Sequence, residues 1–203
     1  MICGGVTPTD VGKQYIEYIE KKYRSKVIEF SVRYKNPNWT PPYIRAVFEN
    51  GDVMCKPFYE TEYGFAFEHM KEASCYSCKY KGDDHMSDIT IGDAWGLNEA
   101  DPAYNHLGTS VAFVHTEKGD QLIRELKDVK LFNGESDAMK KGNPRYMTSK
   151  PYTPQNEKFK YYYTKFGLIK ACQKVYSFKK RVISIMPDRC IQIIRAVKCN
   201  LKK

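Results

Sequence analysis

Residues 74–99 read SCYSCKYKGDDHMSDITIGDAWGLNE: two cysteines three positions apart, then a short alternating run closed by a glycine-bounded acidic turn. In SDITIGDAWG, Ile89 and Ile91 point one way and Asp88, Thr90 and Gly92 the other, which is the period of a strand. Gly92 and Gly96 permit tight backbone geometry where that strand ends, and they let a flat or phosphorylated ligand approach the main chain. A Cys-x-x-Cys turn directs two thiolates at one centre, a spacing that suits zinc or an iron–sulfur cluster. A local zinc site would draw on His69, Cys75, Cys78 and His85; two unligated thiols are the third reading. The glycine spacing matches neither a dinucleotide fingerprint nor a Walker loop.

Upstream of this stretch, Thr7-Pro8-Thr9-Asp10 is a helix-start signal, and Val11, Tyr15, Tyr18, Ile19 and Tyr23 recur at helical spacing, which predicts a helix to about Arg24. VIEFSVRY alternates, with Ile28, Phe30, Val32 and Tyr34 on one face of a half-buried strand. YIRAVFE and DVMCKPF flank Asn50-Gly51 and read as a hairpin with a two-residue turn. Residues Phe58 to Ala73 read as helix and deliver the chain to Cys75. Downstream, GTSVAFVHT reads as a buried strand, EKGDQLIRELKDV as an amphipathic helix and KLF as a short strand. Strands and helices mix without a regular βαβ repeat, so the expected class is α+β, a mixed sheet with a hairpin flanked by helices.

Charge divides the chain. Residues 1–139 carry 16 Lys/Arg against 22 Asp/Glu, a net of −6, whereas residues 140–203 carry 17 against 2, a net of +15. The expected organisation is an α+β domain over 1–139 and a basic helical tail over 140–203, its two or three amphipathic helices interrupted near Pro187. In that tail Lys179, Lys180, Arg181, Arg189, Arg195 and Lys198 alternate with Val182, Ile183, Ile185, Ile191, Ile193, Ile194 and Val197. Such a helix either packs on its own domain or lies on an anionic membrane surface. No run approaches the roughly 18 to 20 apolar residues of a membrane span, and MICGGVTPTD lacks the profile of a secretory signal, so a cytoplasmic protein is expected, if anything peripheral to the inner membrane face. Seven unevenly spaced cysteines argue against a secreted disulfide framework. Tyr161-Tyr162-Tyr163 is a single aromatic patch, and no nucleic-acid partner is expected. His106 and His115 are expected to be structural, and no residue is assigned a catalytic role.

Cys-x-x-Cys, a short spacer, Ser-Asp-Ile-Thr-Ile-Gly-Asp-Ala-Trp-Gly, then Leu-Gly-Thr-Ser before a strand and Thr-Glu-Lys-Gly-Asp-Gln-Leu before a helix strongly resembles the C-terminal region of the coenzyme F-420 hydrogenase/dehydrogenase beta-subunit family. Ile2-Cys3-Gly4-Gly5-Val6 is similar to that family's entry into the same region. The resemblance covers most of residues 1–135; the tail resembles, more loosely, members associated with polysaccharide gene clusters. It implies an iron–sulfur flavoprotein oxidoreductase module that passes electrons between a cluster (4Fe-4S) and FAD, and in some members onward to a deazaflavin or another organic acceptor. By that likeness Cys3, Cys75 and Cys78 are candidate cluster thiolates, and Gly92, Asp93, Trp95, Gly96, Thr109 and Ser110 lie near the flavin. Complete members carry a ferredoxin-like cysteine-rich segment and a Gly-Thr-Pro-Cys motif before this region. The chain is therefore expected to be a C-terminal portion whose partner is an N-terminal ferredoxin-like, flavin-binding half or an electron-donor protein. Structural zinc, or a non-catalytic accessory role docking through the basic tail, is the alternative.

Overall fold

The computed structural model describes residues 1–35, 38–83, 86–177 and 180. Helix α1 (Thr9–Tyr23) presents Val11, Tyr15 and Ile19 to the core at helical spacing and ends at Arg24, which takes up the left-handed conformation. Strands β1 (Val27–Tyr34), β2 (Tyr43–Phe48) and β3 (Val53–Pro57) form an antiparallel sheet in that order. β4 (Ile89–Asp93) and β5 (Ser110–Val114) form a second, two-stranded antiparallel ribbon. The α+β class holds, with the strands divided between two antiparallel sheets rather than joined in one mixed sheet.

Two local expectations change for identifiable reasons. The hairpin turn holds three residues, because the Phe48 N–H donates to Asp52 O at 2.9 Å and leaves Glu49, Asn50 and Gly51 outside the ladder. Gly51 sits at φ +84°, the left-handed position that a turn of this length needs. In β1 the register slips between Val27 and Glu29, so Ile28 becomes the extra residue of a bulge and is 63 % exposed while Phe30 and Val32 stay against the core. A second slip between Ser31 and Tyr34 carries the Tyr34 ring beneath the Arg45 guanidinium, 5.3 Å from its centroid.

Helix α2 (Glu62–His69) starts at Thr61, whose buried hydroxyl accepts from the Gly64 N–H at 3.0 Å. A 3-10 turn over Ala73–Ser77 follows, so the region expected to be one helix is broken before Cys75. Helix α3 (Glu117–Arg124) is capped by Thr116. KLF is not a strand: Leu131 and Phe132 are exposed and paired with no strand among the described residues. Beyond it come α4 (Ser136–Gly142), α5 (Pro144–Met147), α6 (Pro154–Phe166) and α7 (Leu168–Val175).

The main core joins one face of the three-stranded sheet to α1, α2, α6 and α7. Ile44, Ala46 and Phe48 meet Tyr15, Phe65, Phe159, Leu168 and Cys172, all buried. Burying a side chain such as Phe159 contributes about 2–3 kcal/mol. Helices beyond residue 139 therefore share a core with the N-terminal elements, pinned by Gln14, whose Oε1 accepts the Leu168 N–H at 2.7 Å. A smaller cluster lies under the ribbon, where Phe113 stacks on Tyr146 at 4.3 Å. No helix among the described residues is long and apolar enough to cross a membrane. The cationic helix expected over 181–198, with Lys179 and Pro187, lies outside the described residues, as do His85, Cys190 and Cys199.

Candidate functional site

The N-terminal strap brings two sulfurs together. The Ile2 N–H donates to Ile91 O at 2.7 Å, laying residue 2 beside β4, and the Glu72 N–H donates to Val6 O at 2.8 Å, tying residue 6 to the approach to the 3-10 turn. Between these anchors the Gly5 N–H points at Cys3 Sγ and the Val6 N–H at Cys75 Sγ, each at 3.4 Å. Consecutive amides thus serve two sulfurs 72 positions apart in sequence. Lys81 Nζ fixes the strap further, donating to Cys3 O at 2.9 Å and to Arg145 O at 2.6 Å.

Gly92 explains why the strap can lie so close. A Cβ there would stand 2.6 Å from Ile2 Cδ1, so the space that glycine leaves is filled by the chain's own Ile2. The close backbone approach read at Gly92 serves the strap that carries Cys3.

Beside the sulfurs lies Lys71, which the sequence did not single out. Lys71 is 7 % exposed, and its Nζ has no hydrogen-bond partner among the described residues. The ammonium sits 3.6 Å from the centre of the Phe67 ring, and a Cβ on Gly5 would be 3.4 Å from Nζ. Burial, with Lys150 nearby, pulls its pKa down to about 8, while Glu68, Cys75 and Cys3 act in the opposite direction. Lys150 is itself engaged, paired to Glu68 at 2.6 Å.

Cys78 follows another course, its backbone N–H donating to Ser149 Oγ at 3.0 Å. Among the described residues no group of three Cys, His, Asp or Glu side chains is placed to hold a metal ion. His69 is packed against Phe65 at 4.4 Å and Phe159 at 6.3 Å, and burial lowers its pKa. Its partner in the zinc reading, His85, is outside the described residues. Cys55 is exposed on β3, and Cys172 is buried with its pKa raised by burial to about 12.

The six residues expected near a flavin gather at one end of the ribbon. Asp93 pairs with Ser110, and the Ala94 N–H donates to Thr109 O at 2.9 Å, prolonging the ladder by one rung. Asp93 is bound to Arg33 at 2.8 Å, and Thr109 Oγ1 donates to Ala103 O at 2.5 Å. Trp95 stands at the bend, 36 % exposed, with Trp39 against it at 4.4 Å between ring centroids. Gly96 follows, opposite Gly142 of α4. Trp39 was missed in the sequence; its signal was a tryptophan in the otherwise turn-forming loop KNPNWTPP, and its backbone N–H donates to His106 O at 2.8 Å. His115 lies on the ribbon's inner side, with Nε2 3.0 Å from Thr90 Oγ1.

For an iron–sulfur cluster the donor chemistry fits and the count falls short. Two sulfurs receiving N–H bonds beside a buried cation suit an anionic sulfur-held group, whereas a cluster of this kind takes four ligands. For a flavin, Trp39 and Trp95 offer two neighbouring aromatic rings inclined at 45° to each other, while the approach at Gly92 is taken by Ile2. A family model for the C terminus of the coenzyme F420 hydrogenase/dehydrogenase beta subunit matches residues 1–137. No curated protein matches the chain. No solved structure matches it either.

Proposed function

Because the chain belongs to the family defined by the C terminus of the coenzyme F420 hydrogenase/dehydrogenase beta subunit, we propose that it is a redox module that passes electrons between a sulfur-held iron cluster and a flavin. The observation that carries this reading is the seating of Cys3 Sγ and Cys75 Sγ on the consecutive N–H groups of Gly5 and Val6, with the Lys71 ammonium alongside. Cys3 and Cys75, with Cys78 from the same turn, would contribute sulfur ligands. The remaining coordination would come from an N-terminal ferredoxin-like half or an electron-donor protein. Gly92, Asp93, Trp95, Gly96, Thr109 and Ser110 would line the flavin side. Held by these residues, a cluster would supply one-electron exchange and a flavin the conversion between one-electron and hydride chemistry.

This chain's own part is electrostatic and positional. Amide N–H groups aimed at sulfur offset negative charge without needing to reorganise, and a buried ammonium does the same more strongly. Trp95, partly exposed at the bend, would supply one aromatic face on which a planar ring could stack, with Trp39 inclined against it. Arg33 holds the Asp93 carboxylate at the edge of that surface. A link to polysaccharide metabolism is supported by the sequence resemblance of the tail. The reading is tested by anaerobic purification followed by iron, acid-labile sulfide and flavin analysis, alone and after reconstitution with an N-terminal half from a full-length family member. Iron and flavin in the reconstituted protein are the expected result; absence of all three in both preparations ends the reading.

A further inference from the structure

The stretch from Cys78 to Gly82 runs along α5 and the segment leading to α6, and hydrogen bonds close the seam between them. The Cys78 N–H donates to Ser149 Oγ at 3.0 Å and the Gly82 N–H to Tyr146 O at 2.9 Å. Lys81 Nζ bridges Arg145 O and Cys3 O, so the same seam reaches the strap. The Tyr76 ring meets Tyr152 edge-on, 4.9 Å between centroids. Tyr80, Met147 and Tyr152 are nevertheless left exposed along this seam, Tyr80 to 72 %. The charge around them is opposite in sign to that of the body. Residues 71–84 and 140–152 carry seven Lys/Arg against three Asp/Glu, a net of +4, whereas residues 1–139 as a whole carry a net of −6. Asp83 and Glu68 engage Lys140 and Lys150, and Glu157 accepts from the Tyr152 hydroxyl. Lys79, Lys81, Lys141 and Arg145 have no carboxylate partner among the described residues, and Lys79 and Lys141 are exposed. Exposed tyrosine and methionine within a cationic surround have the make-up of a docking face: the large side chains supply contact area and the charges steer a partner of opposite sign.

We propose that this surface, formed by Tyr80, Met147 and Tyr152 with Lys79, Lys81 and Arg145, is where a small electron-carrier protein with a carboxylate-rich docking face binds the chain. The redox-module reading supplies what the partner carries; the surface itself rests on charge and geometry. A partner seated there lies against the turn that holds Cys75 and Cys78 and against Lys81, whose ammonium holds the strap at Cys3. The contact is small. A few residues a side bury less than the ~1,200 Å² of a stable interface, so the encounter is weak, quickly reversed and drawn mainly by charge. Lys71, buried behind Gly5, adds to the positive field without touching the partner.

The test uses the full chain, immobilised without metal or flavin, and reads binding by biolayer interferometry. The probe is an acidic flavodoxin; cytochrome c, a basic carrier, and a single-stranded oligonucleotide are the comparisons. The expected result is saturable flavodoxin binding that weakens about tenfold or more between about 20 and about 200 mM salt, with no binding of cytochrome c. At about 100 mM salt, Lys79→Glu/Arg145→Glu should weaken binding about tenfold or more and Tyr80→Ser about threefold or more. Lys21→Glu/Lys118→Glu, the same charge change on α1 and α3, should leave it within about twofold. Lys81 is kept, because its bonds to Cys3 O and Arg145 O hold the strap. Circular dichroism checks the fold of each variant, and Lys79→Glu/Lys141→Glu carries the comparison if Arg145→Glu disturbs it. No flavodoxin binding at low salt, equal loss in the patch and control pairs, or an oligonucleotide held as tightly as flavodoxin through the same residues would each overturn the proposal. Because binding is read without iron or flavin on this chain, failure here leaves the redox-module reading to its own assay, and failure of that assay leaves this measurement standing.

Discussion

Replacing Lys71 by methionine keeps most of the side chain's bulk and removes its charge. In the folded protein the pKa of Lys71 falls from the usual 10.5 to about 8, chiefly through burial. A fall of that size corresponds to about 3 kcal/mol spent holding the charged form inside the fold. The contact with the Phe67 ring returns about 1 kcal/mol, so Lys71→Met is expected to stabilise the metal-free protein by about 2 kcal/mol at pH 7. The sign follows from proton linkage. Below about pH 8 Lys71 is protonated in both folded and unfolded chains, and the whole penalty is present. Between pH 8 and 10.5 the unfolded chain binds the extra proton, so wild-type stability rises with pH through this group. Above pH 10.5 both states are neutral and the advantage of methionine disappears. Urea unfolding under reductant, followed by circular dichroism, is the assay; with m near 2 kcal/mol/M the midpoint should rise by about 1 M at pH 7. A variant no more stable than wild type at pH 7, or a gap undiminished at pH 10.5, would refute the view of Lys71 as a buried cation awaiting an anion.

Three further substitutions probe the supports of the site. Asn156 closes a capping box with Thr153 and donates to His69 O at 2.8 Å from a buried position, so Asn156→Ala should cost about 2–3 kcal/mol in urea unfolding. Gly92→Val drives a branched side chain into Ile2 and should lift the strap; Cys3 should then react several-fold faster with a bulky maleimide while Cys172 does not change. Arg33→Gln breaks a solvent-exposed ion pair with Asp93 and should move stability by under about 1 kcal/mol; a larger loss would make that pair a structural element of the ribbon.

What the sequence made legible depends on how local the deciding interaction is. α1 could be bounded from periodicity because it buries one face, Val11, Tyr15 and Ile19, at the helical repeat, and β1 from the extent of its alternating run. The turn at Gly51 was recognisable from composition, but whether it spans two residues or three depends on which rung closes at Phe48. Ile28 looked like core because the alternation around it is clean; the bulge that turns it outward is a property of the pairing with β2. KLF has strand-like composition and, among the described residues, no strand beside it. In the site, Cys3, Cys75 and Cys78 were singled out through spacing and family resemblance, and the seating of the first two on adjacent amides follows from the strap. Lys71 carried no signal, since its burial arises from Gly5 and Phe67 closing around it. Trp39 gave a faint one, an aromatic residue in a loop of turn formers.

The most direct measurement of the central claim is iron and acid-labile sulfide content after anaerobic reconstitution with the N-terminal half. It is made on the wild type, on Cys3→Ser/Cys75→Ser and on the control Cys55→Ser. The account expects iron and sulfide together in the wild type and in Cys55→Ser, with both lost from the double variant while its circular dichroism is retained. Full iron and sulfide loading in the folded double variant would contradict it.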